Sequence, residues 1–170
     1  MSSEAASPSQ TRSELLAMGV TAAVVLLADQ ATKAAIDSAL ALGERVPVIG
    51  DLVVLWHVRN EGAAFSLFQG GQIFFLIVTV LALAMLIYFQ RAFRGRGVAL
   101  YVVLGLILGG TLGNLIDRIR LGYVTDFISV GIGDLRWPTW NVADASIVLG
   151  ILALVAYLML LDPRRSEAQA

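Results

Sequence analysis

From Ile73 to Phe89 the chain runs without a single charged residue, and three further stretches, about 15–36, 97–118 and 141–161, are nearly as apolar. Few folds accept that pattern. A helix of about 20 apolar residues spans a hydrocarbon core about 30 Å thick. No water inside a bilayer can satisfy backbone N–H and C=O groups, so a segment that crosses must bond them internally. The four stretches therefore predict four transmembrane helices, with a leading segment 1–13, a single membrane domain over 14–162 and a tail at 163–170.

Composition agrees. The chain is 58% hydrophobic and 15% charged, with a mean hydropathy of +0.79, whereas a soluble domain is about 45–50% apolar and about 25% charged. A net charge of −1 gives no footprint for nucleic acid. There is no cysteine and one histidine, His57, so disulfides, thiolate chemistry and the usual zinc sites are excluded. No metal and no cofactor are expected. Residues 1–13 are polar, and the apolar run after them is too long for a cleaved signal peptide, so none is expected. The same polarity predicts no ordered structure for that segment.

The polar positions are not scattered. Asp29 and Lys33 lie four apart in the first span, on one helix face where they neutralise each other. Residues 37–71 are too polar to cross, and a β element is expected within them over about 44–68. Val46, Val48, Leu52, Val54, Trp56 and Val58 alternate with the opposite face, and Gly50-Asp51 supplies a turn, which predicts a small β element. An open sheet edge does not survive in hydrocarbon, so the element belongs on the membrane surface. It leads into Asn60-Glu61-Gly62, a tight-turn sequence, followed by Phe65 and Phe68 as interfacial anchors. His57 reads as a plain strand residue, and Trp56, Trp137 and Trp140 as interface anchors. Gly105, Gly109, Gly113 and Asp117 share one face of the third span, beside a stripe of Gly110, Asn114 and Arg118, the small-residue pattern of closely packed membrane helices. The fourth span opens at Asn141 and stops at Asp162-Pro163.

The loop Arg91 to Arg96 carries three arginines and no acid, which places it in the cytoplasm. Lys and Arg as a whole divide evenly between the two sides, so orientation rests on this short loop. Four crossings then put both termini in the cytoplasm and gather the clusters at 29–33, 60–66, 114–126 and 141–144 at the outer side. Two acids stand out there. Asn141-Val-Ala-Asp144 sets Asn at a helix N-cap and Asp144 three residues on, a capping arrangement that gains from the helix dipole. Asp126 has no such explanation. It lies in an apolar run ending the loop after the third span, where an ionisable group is costly, and the loop from 127 to 140 has to bring it to Asp144. Brought together, the two carboxyls share one proton and titrate as a unit, the state in which one takes a proton from water while the other polarises a scissile carbonyl. The dipole favours Asp144 as the ionised base and Asp126 as the proton holder.

Asp29-Gln30-Ala31-Thr32-Lys33, Asn60-Glu61-Gly62-Ala63-Ala64-Phe65-Ser66, Gly109 to Arg118, Val124-Thr125-Asp126-Phe127-Ile128 and Asn141-Val142-Ala143-Asp144 follow one another in an order that resembles the bacterial lipoprotein signal peptidases, also called signal peptidase II. The resemblance implies a membrane aspartyl endopeptidase. It would cleave the signal peptide of prolipoproteins on the N-terminal side of a diacylglyceryl-modified cysteine. Its place would be the cell inner membrane, with its active site at the periplasmic side, and it would act as a monomer among membrane lipid. By the same matching, Asp126 and Asp144 would be the catalytic pair, Asn60, Asn114, Arg118 and Asn141 would hold substrate or the pair, and Asp29 with Lys33 would brace the first helix. Trp140 departs from the Phe usual in the family, which affects packing.

Three other readings are weighed against this one. Gly131-Ile-Gly-Asp134 imitates another intramembrane aspartyl protease motif, but Leu-Arg-Trp-Pro follows it where an apolar helix would be needed. A Ser66 and Lys33 mechanism is set against the commitment of Lys33 to Asp29. A small carrier or scaffold protein, using the intramembrane polar residues as a relay, is the alternative of a different class.

Overall fold

A computed structural model of the chain describes residues 7–62 and 71–160. Four helices long and apolar enough to cross a membrane, α1 (Pro8–Ala39), α2 (Gly71–Ala92), α3 (Val98–Leu121) and α4 (Val142–Leu160), carry an antiparallel sheet. Its strands are β1 (Arg45–Ile49), β2 (Val53–Asn60), β3 (Val124–Ile132) and β4 (Leu135–Arg136), hydrogen-bonded in that order. The expected anchors Phe65 and Phe68, Ser66, the Asp162-Pro163 stop and the tail at 163–170 lie outside the described residues.

Helix α1 starts earlier than its apolar residues require. Ser7 accepts a bond from the Gln10 N–H and Pro8 follows at the first helical position, a start set by capping chemistry. Residues 8–13 are thus helical, which corrects the unstructured lead-in expected there. The helix reaches past the hydrocarbon at about 1.5 Å per residue, and its N-terminal part is fastened by Glu14, fully buried, which accepts the backbone N–H groups of Gly95 (3.1 Å) and Gly97 (2.8 Å). That carboxylate satisfies donors at the start of α3, where Gly97 offers no side-chain cap.

Helix α3 is the central one, with 56% of its apolar stretch buried against 11–22% for the others. Its glycines make this possible on two sides. A Cβ on Gly105 or Gly109 would come 2.7 Å from the α1 backbone at Met18 or Ala22, and one on Gly110 would strike Ala143 and Ser146 of α4. The absent side chains bring the backbones together, and dispersion supplies the attraction that water cannot supply in lipid. Towards the Arg91 to Arg96 end, Leu86, Phe93, Leu100, Leu104, Ile107 and Leu154 form the apolar core. Val24, Leu27, Val80, Leu81 and Leu152 face outwards, each more than half exposed, as a lipid-contacting surface requires.

The expected hairpin is present as β1 and β2, but the run around Asp126 and much of the loop expected over 127–140 form the other half of the sheet. Strand β3 is buried over most of its length, with β2 on one edge and β4 and Trp140 on the other. Buried on both faces, it reads as a continuous apolar run without the alternation that marks a half-exposed strand. Asp134 sits in the exposed turn between β3 and β4 and opens no helix. Between Leu55 and Val58 the β2 register slips by one residue against β3, a bulge, a feature common beside active sites.

Candidate active site

The sheet-side ends of α1, α3 and α4 meet β2 and β3, and every site residue expected from the sequence lies in that region. Helix α4 sets the frame. Asn141 caps it, accepting the Asp144 N–H through Oδ1 at 2.9 Å, while Asp144 Oδ2 accepts the Asn141 N–H at 3.3 Å. This reciprocal box fixes Asp144 on the first turn. Asp29 of α1 accepts the Ala143 N–H at 2.9 Å, so a second carboxylate stands at the same helix N-terminus, where the dipole favours negative charge.

Lys33 organises the buried charges. Its ammonium lies 2.8 Å from Asp29 Oδ2, 2.7 Å from Asp117 Oδ2 and 3.0 Å from Asn114 Oδ1, with all four side chains nearly inaccessible. Gln30 completes the cluster with a 2.8 Å bond to Asp117 Oδ1. An ammonium only donates, so the amide oxygen of Asn114 must face it. The Asn114 nitrogen then faces the other way and donates to Asp144 Oδ1 at 2.7 Å. The expected brace of Asp29 and Lys33 is therefore part of a larger network that orients a ligand of Asp144. Asp117 and Gln30 belong to it as well. Asp117 was marked by its spacing four residues beyond Gly113, and Gln30 by its place between Asp29 and Lys33.

Asp126 is 1% exposed and accepts two amides, Asn60 Nδ2 at 2.8 Å and Asn141 Nδ2 at 2.7 Å. Asn60 is itself oriented, since its Oδ1 accepts the Gly62 N–H at 2.9 Å. Burial pushes the Asp126 carboxyl up from 3.8 to about 6. The Asn60 bond opposes that rise and the Asp144 charge adds to it, so the two acids lie in electrostatic contact. Arg118 bonds the Asn114 carbonyl at 3.3 Å, stacks over the Phe75 ring and lies in the field of Asp144 and Asp126. It is an electrostatic neighbour of the two acids, held from its own helix.

Two hollows open on the pair. One of about 440 Å³ is polar at its rim, with Arg45, Arg59, Glu61 and Arg136, and reaches Asn60 and Asp126. The other, of about 540 Å³, is lined by Trp137, Trp140, Ala145, Val148 and Leu149 and reaches Asp144. Trp137, Pro138 and Thr139 line both, so this segment divides a polar side from an apolar one. Among the described residues no group of three His, Asp or Glu is placed to hold a metal ion. The arrangement offers two carboxyls close enough to interact electrostatically, one deeply buried and one partly buried, each oriented by amides that are themselves hydrogen-bonded. That is acid and base chemistry on an uncharged polar bond.

His57 is not the plain strand residue that its sequence context predicts. It is 4% exposed, with Nδ1 2.9 Å from the Leu40 carbonyl and Nε2 3.0 Å from Asp37 Oδ1. Asp37 had no signal in the sequence beyond its place at the end of the first helix.

A family described as signal peptidase (SPase) II matches residues 21–160. A lipoprotein signal peptidase of Geobacter metallireducens is 42% identical over 151 residues, covering 87% of this chain and 93% of that protein. Its counterpart in Halothermothrix orenii is 40% identical over 135 residues, 79% of this chain and 90% of that one. A bacterial membrane enzyme solved by the in meso method at 1.9 Å superposes with a TM-score of 0.75 at 33% identity, over 84% of this chain and 92% of that one.

Proposed function

The chain belongs to the signal peptidase II family, the lipoprotein signal peptidases, and from that premise we propose that Asp126 and Asp144 are the pair with which it hydrolyses its peptide bond. It is a multi-pass membrane protease that removes the signal peptide of prolipoproteins. The observation that carries the assignment is Asn141, which donates to Asp126 and exchanges two bonds with Asp144.

In this reading Asp144, ionised at its helix N-terminus, takes a proton from water, and the water oxygen bonds to the scissile carbonyl carbon. Asp126, protonated, donates to the carbonyl oxygen as negative charge grows there. Collapse of the tetrahedral intermediate moves a proton to the leaving nitrogen and breaks the C–N bond. The signal peptide leaves with a new carboxyl terminus and the mature chain with a free amine. Asn60, Asn114 and Asn141 hold the pair, and Arg118 supplies positive potential beside it.

The cut falls just before a diacylglyceryl-modified cysteine. The apolar hollow at Asp144 suits acyl chains and the signal helix, and the polar hollow at Asp126 suits the peptide that follows. The Arg91, Arg94 and Arg96 loop, tied by Glu14 to the start of α1, supports an inner-membrane orientation with both termini in the cytoplasm and the pair on the periplasmic side. A monomer suffices, since one chain supplies every group in the network. A carrier would need polar groups through the membrane depth, whereas the inner half is packed with Leu86, Leu100, Leu104, Ile107 and Leu154. Asp126→Asn and Asp144→Asn, assayed on a lipidated precursor in membranes, test the assignment, and normal cleavage by either variant removes it.

A further inference from the structure

Thr125 and Asp126 are neighbours on β3, so their side chains leave the sheet on opposite faces. The Asp126 face also carries Trp56, Val58 and Asn60 and lines the polar hollow. The Thr125 face turns to the end of α1, and there Asp37 meets it. Thr125 Oγ1 donates to Asp37 Oδ1 at 3.3 Å, and His57 Nε2 lies 3.0 Å from that same oxygen.

His57 stands within the β2 bulge and is hydrogen-bonded through its backbone and through Nδ1. Its backbone N–H donates to the Glu44 carbonyl at 3.1 Å, its carbonyl accepts the Gly43 N–H at 2.8 Å, and Nδ1 faces the Leu40 carbonyl. Glu44 in turn accepts the Ala41 N–H. The end of α1 and the turn after it therefore grip β2 at its irregular point. Through one carboxylate oxygen they also grip β3 one residue from Asp126. A bulge increases local twist and loosens the ladder, and the ladder here skips from Leu55 to Val58 opposite Ile128 and Asp126. Regular pairing resumes at Val58 opposite Asp126, so Asp126 sits at the edge of the irregularity, and Asp37 braces that junction from behind.

We propose that Asp37 is a positioning residue, which acts through His57 and Thr125 to hold Asp126 against its partner acid. This rests on the reading that Asp126 reacts with substrate. Asp37 itself faces away from both hollows and touches nothing that reacts. Its loss leaves substrate binding intact and misplaces one acid.

Purified full-length enzyme in lipid vesicles, with a lipidated precursor peptide, tests this. Asp37→Ala is expected to lower kcat by about tenfold or more with KM within about twofold, since a displacement near 1 Å at a reacting group costs up to about 10² in rate. Asp37→Asn keeps the accepting oxygen and is expected to restore most of the loss. Thr125→Val should lower kcat by a smaller factor, and the double variant with Asp37→Ala should be no slower than Asp37→Ala alone, as residues acting through one contact are non-additive. Leu86→Ala, in the core near the opposite end of the bundle, serves as a control matched in thermal stability. A kcat for Asp37→Ala within twofold of the parent, or an equal loss in Leu86→Ala at the same unfolding temperature, overturns the proposal. If Asp37→Ala does not fold, Thr125→Val decides: an unchanged kcat there overturns it. Asp126→Asn run alongside keeps the two readings apart, since an active Asp126→Asn removes the reading of the pair itself.

Discussion

Asn141 donates its side-chain amide to Asp126 at 2.7 Å while its own backbone N–H is bonded to Asp144, so the residue that starts α4 sets the spacing between strand β3 and the helix. One asparagine is both an N-cap and a clasp. Its Oδ1 is occupied by the Asp144 N–H, which forces the Nδ2 towards Asp126 and leaves the amide no alternative orientation.

Replacing either acid by Asn removes one carboxylate from the pair and keeps its volume. Asp126→Asn and Asp144→Asn are each expected to lower kcat by at least about 10³, the upper half of the 10² to 10⁴ range of a single acid or base effect, because both steps need the pair. Unfolding temperatures should stay near the parent value. Asn141→Ala should cost less per molecule of folded enzyme but act on both acids, lowering kcat with a small loss of stability of about 1 kcal/mol from the missing cap. Single-turnover cleavage of a lipidated precursor reads both.

The raised Asp126 carboxyl gives a pH dependence with a definite sign. Its protonated form is favoured in the fold, so the native state binds more protons than the unfolded state between 3.8 and about 6. Stability therefore falls as pH rises across that window, and Asp126→Asn should flatten it. Turnover that needs a proton on Asp126 should decline above about 6 in the free enzyme, an apparent value that belongs to the pair. The Asn60 bond favours the ionised form, so Asn60→Ala should move the decline to higher pH. A decline that moves to lower pH in Asn60→Ala would contradict the assignment of the proton.

The four helices, the β1 and β2 hairpin and the capping role of Asn141 were legible in the sequence, because length, alternation and cap chemistry are local. Strand β3 was not, since a strand covered on both faces shows no period of two, and a short β4 of two residues carries no pattern of its own. Asp126 appeared as an acid in a loop, whereas it sits on a strand whose pairing partner is far away in the chain. Asp29, Lys33, Asn114 and Asp144 were recognisable individually. The chain of orientation from ammonium to amide to carboxylate depends on which atoms face each other, and only packing decides that. Asp37 and His57 are joined by tertiary geometry across the end of α1, so neither residue announces the other.

Among the described residues Lys33 is the cation that meets Asp29, Asp117 and Asn114 at this buried position. Lys33→Met leaves two carboxylates buried without their counter-charge and is expected to cost about 3–5 kcal/mol. Adding Asp117→Asn should recover part of that loss, because one of the stranded charges is then gone. Thermal unfolding in detergent micelles measures both. The double variant should still turn over slowly, since Asn114 has lost the ammonium that holds its oxygen away from Asp144.

The glycines of α3 separate packing from chemistry. A Cβ on Gly109 meets Ala22 and Val25 of α1, whereas one on Gly110 meets Ala143 and Ser146 beside Asp144. Each Ala substitution is expected to destabilise by about 1–3 kcal/mol, as overpacking forces a backbone shift. Gly19 of α1 has nothing within 4 Å of its Cβ position, so Gly19→Ala should be neutral or stabilising by up to about 1 kcal/mol through helix propensity. The two α3 variants should differ in rate. Gly110→Ala pushes the first turn of α4 away from α3, stretching the bond from Asn114 to Asp144, so its kcat should fall by about tenfold more than that of Gly109→Ala at equal stability. Equal rates in the two would mean that the α3 and α4 contact sets stability alone and does not hold Asp144 in place.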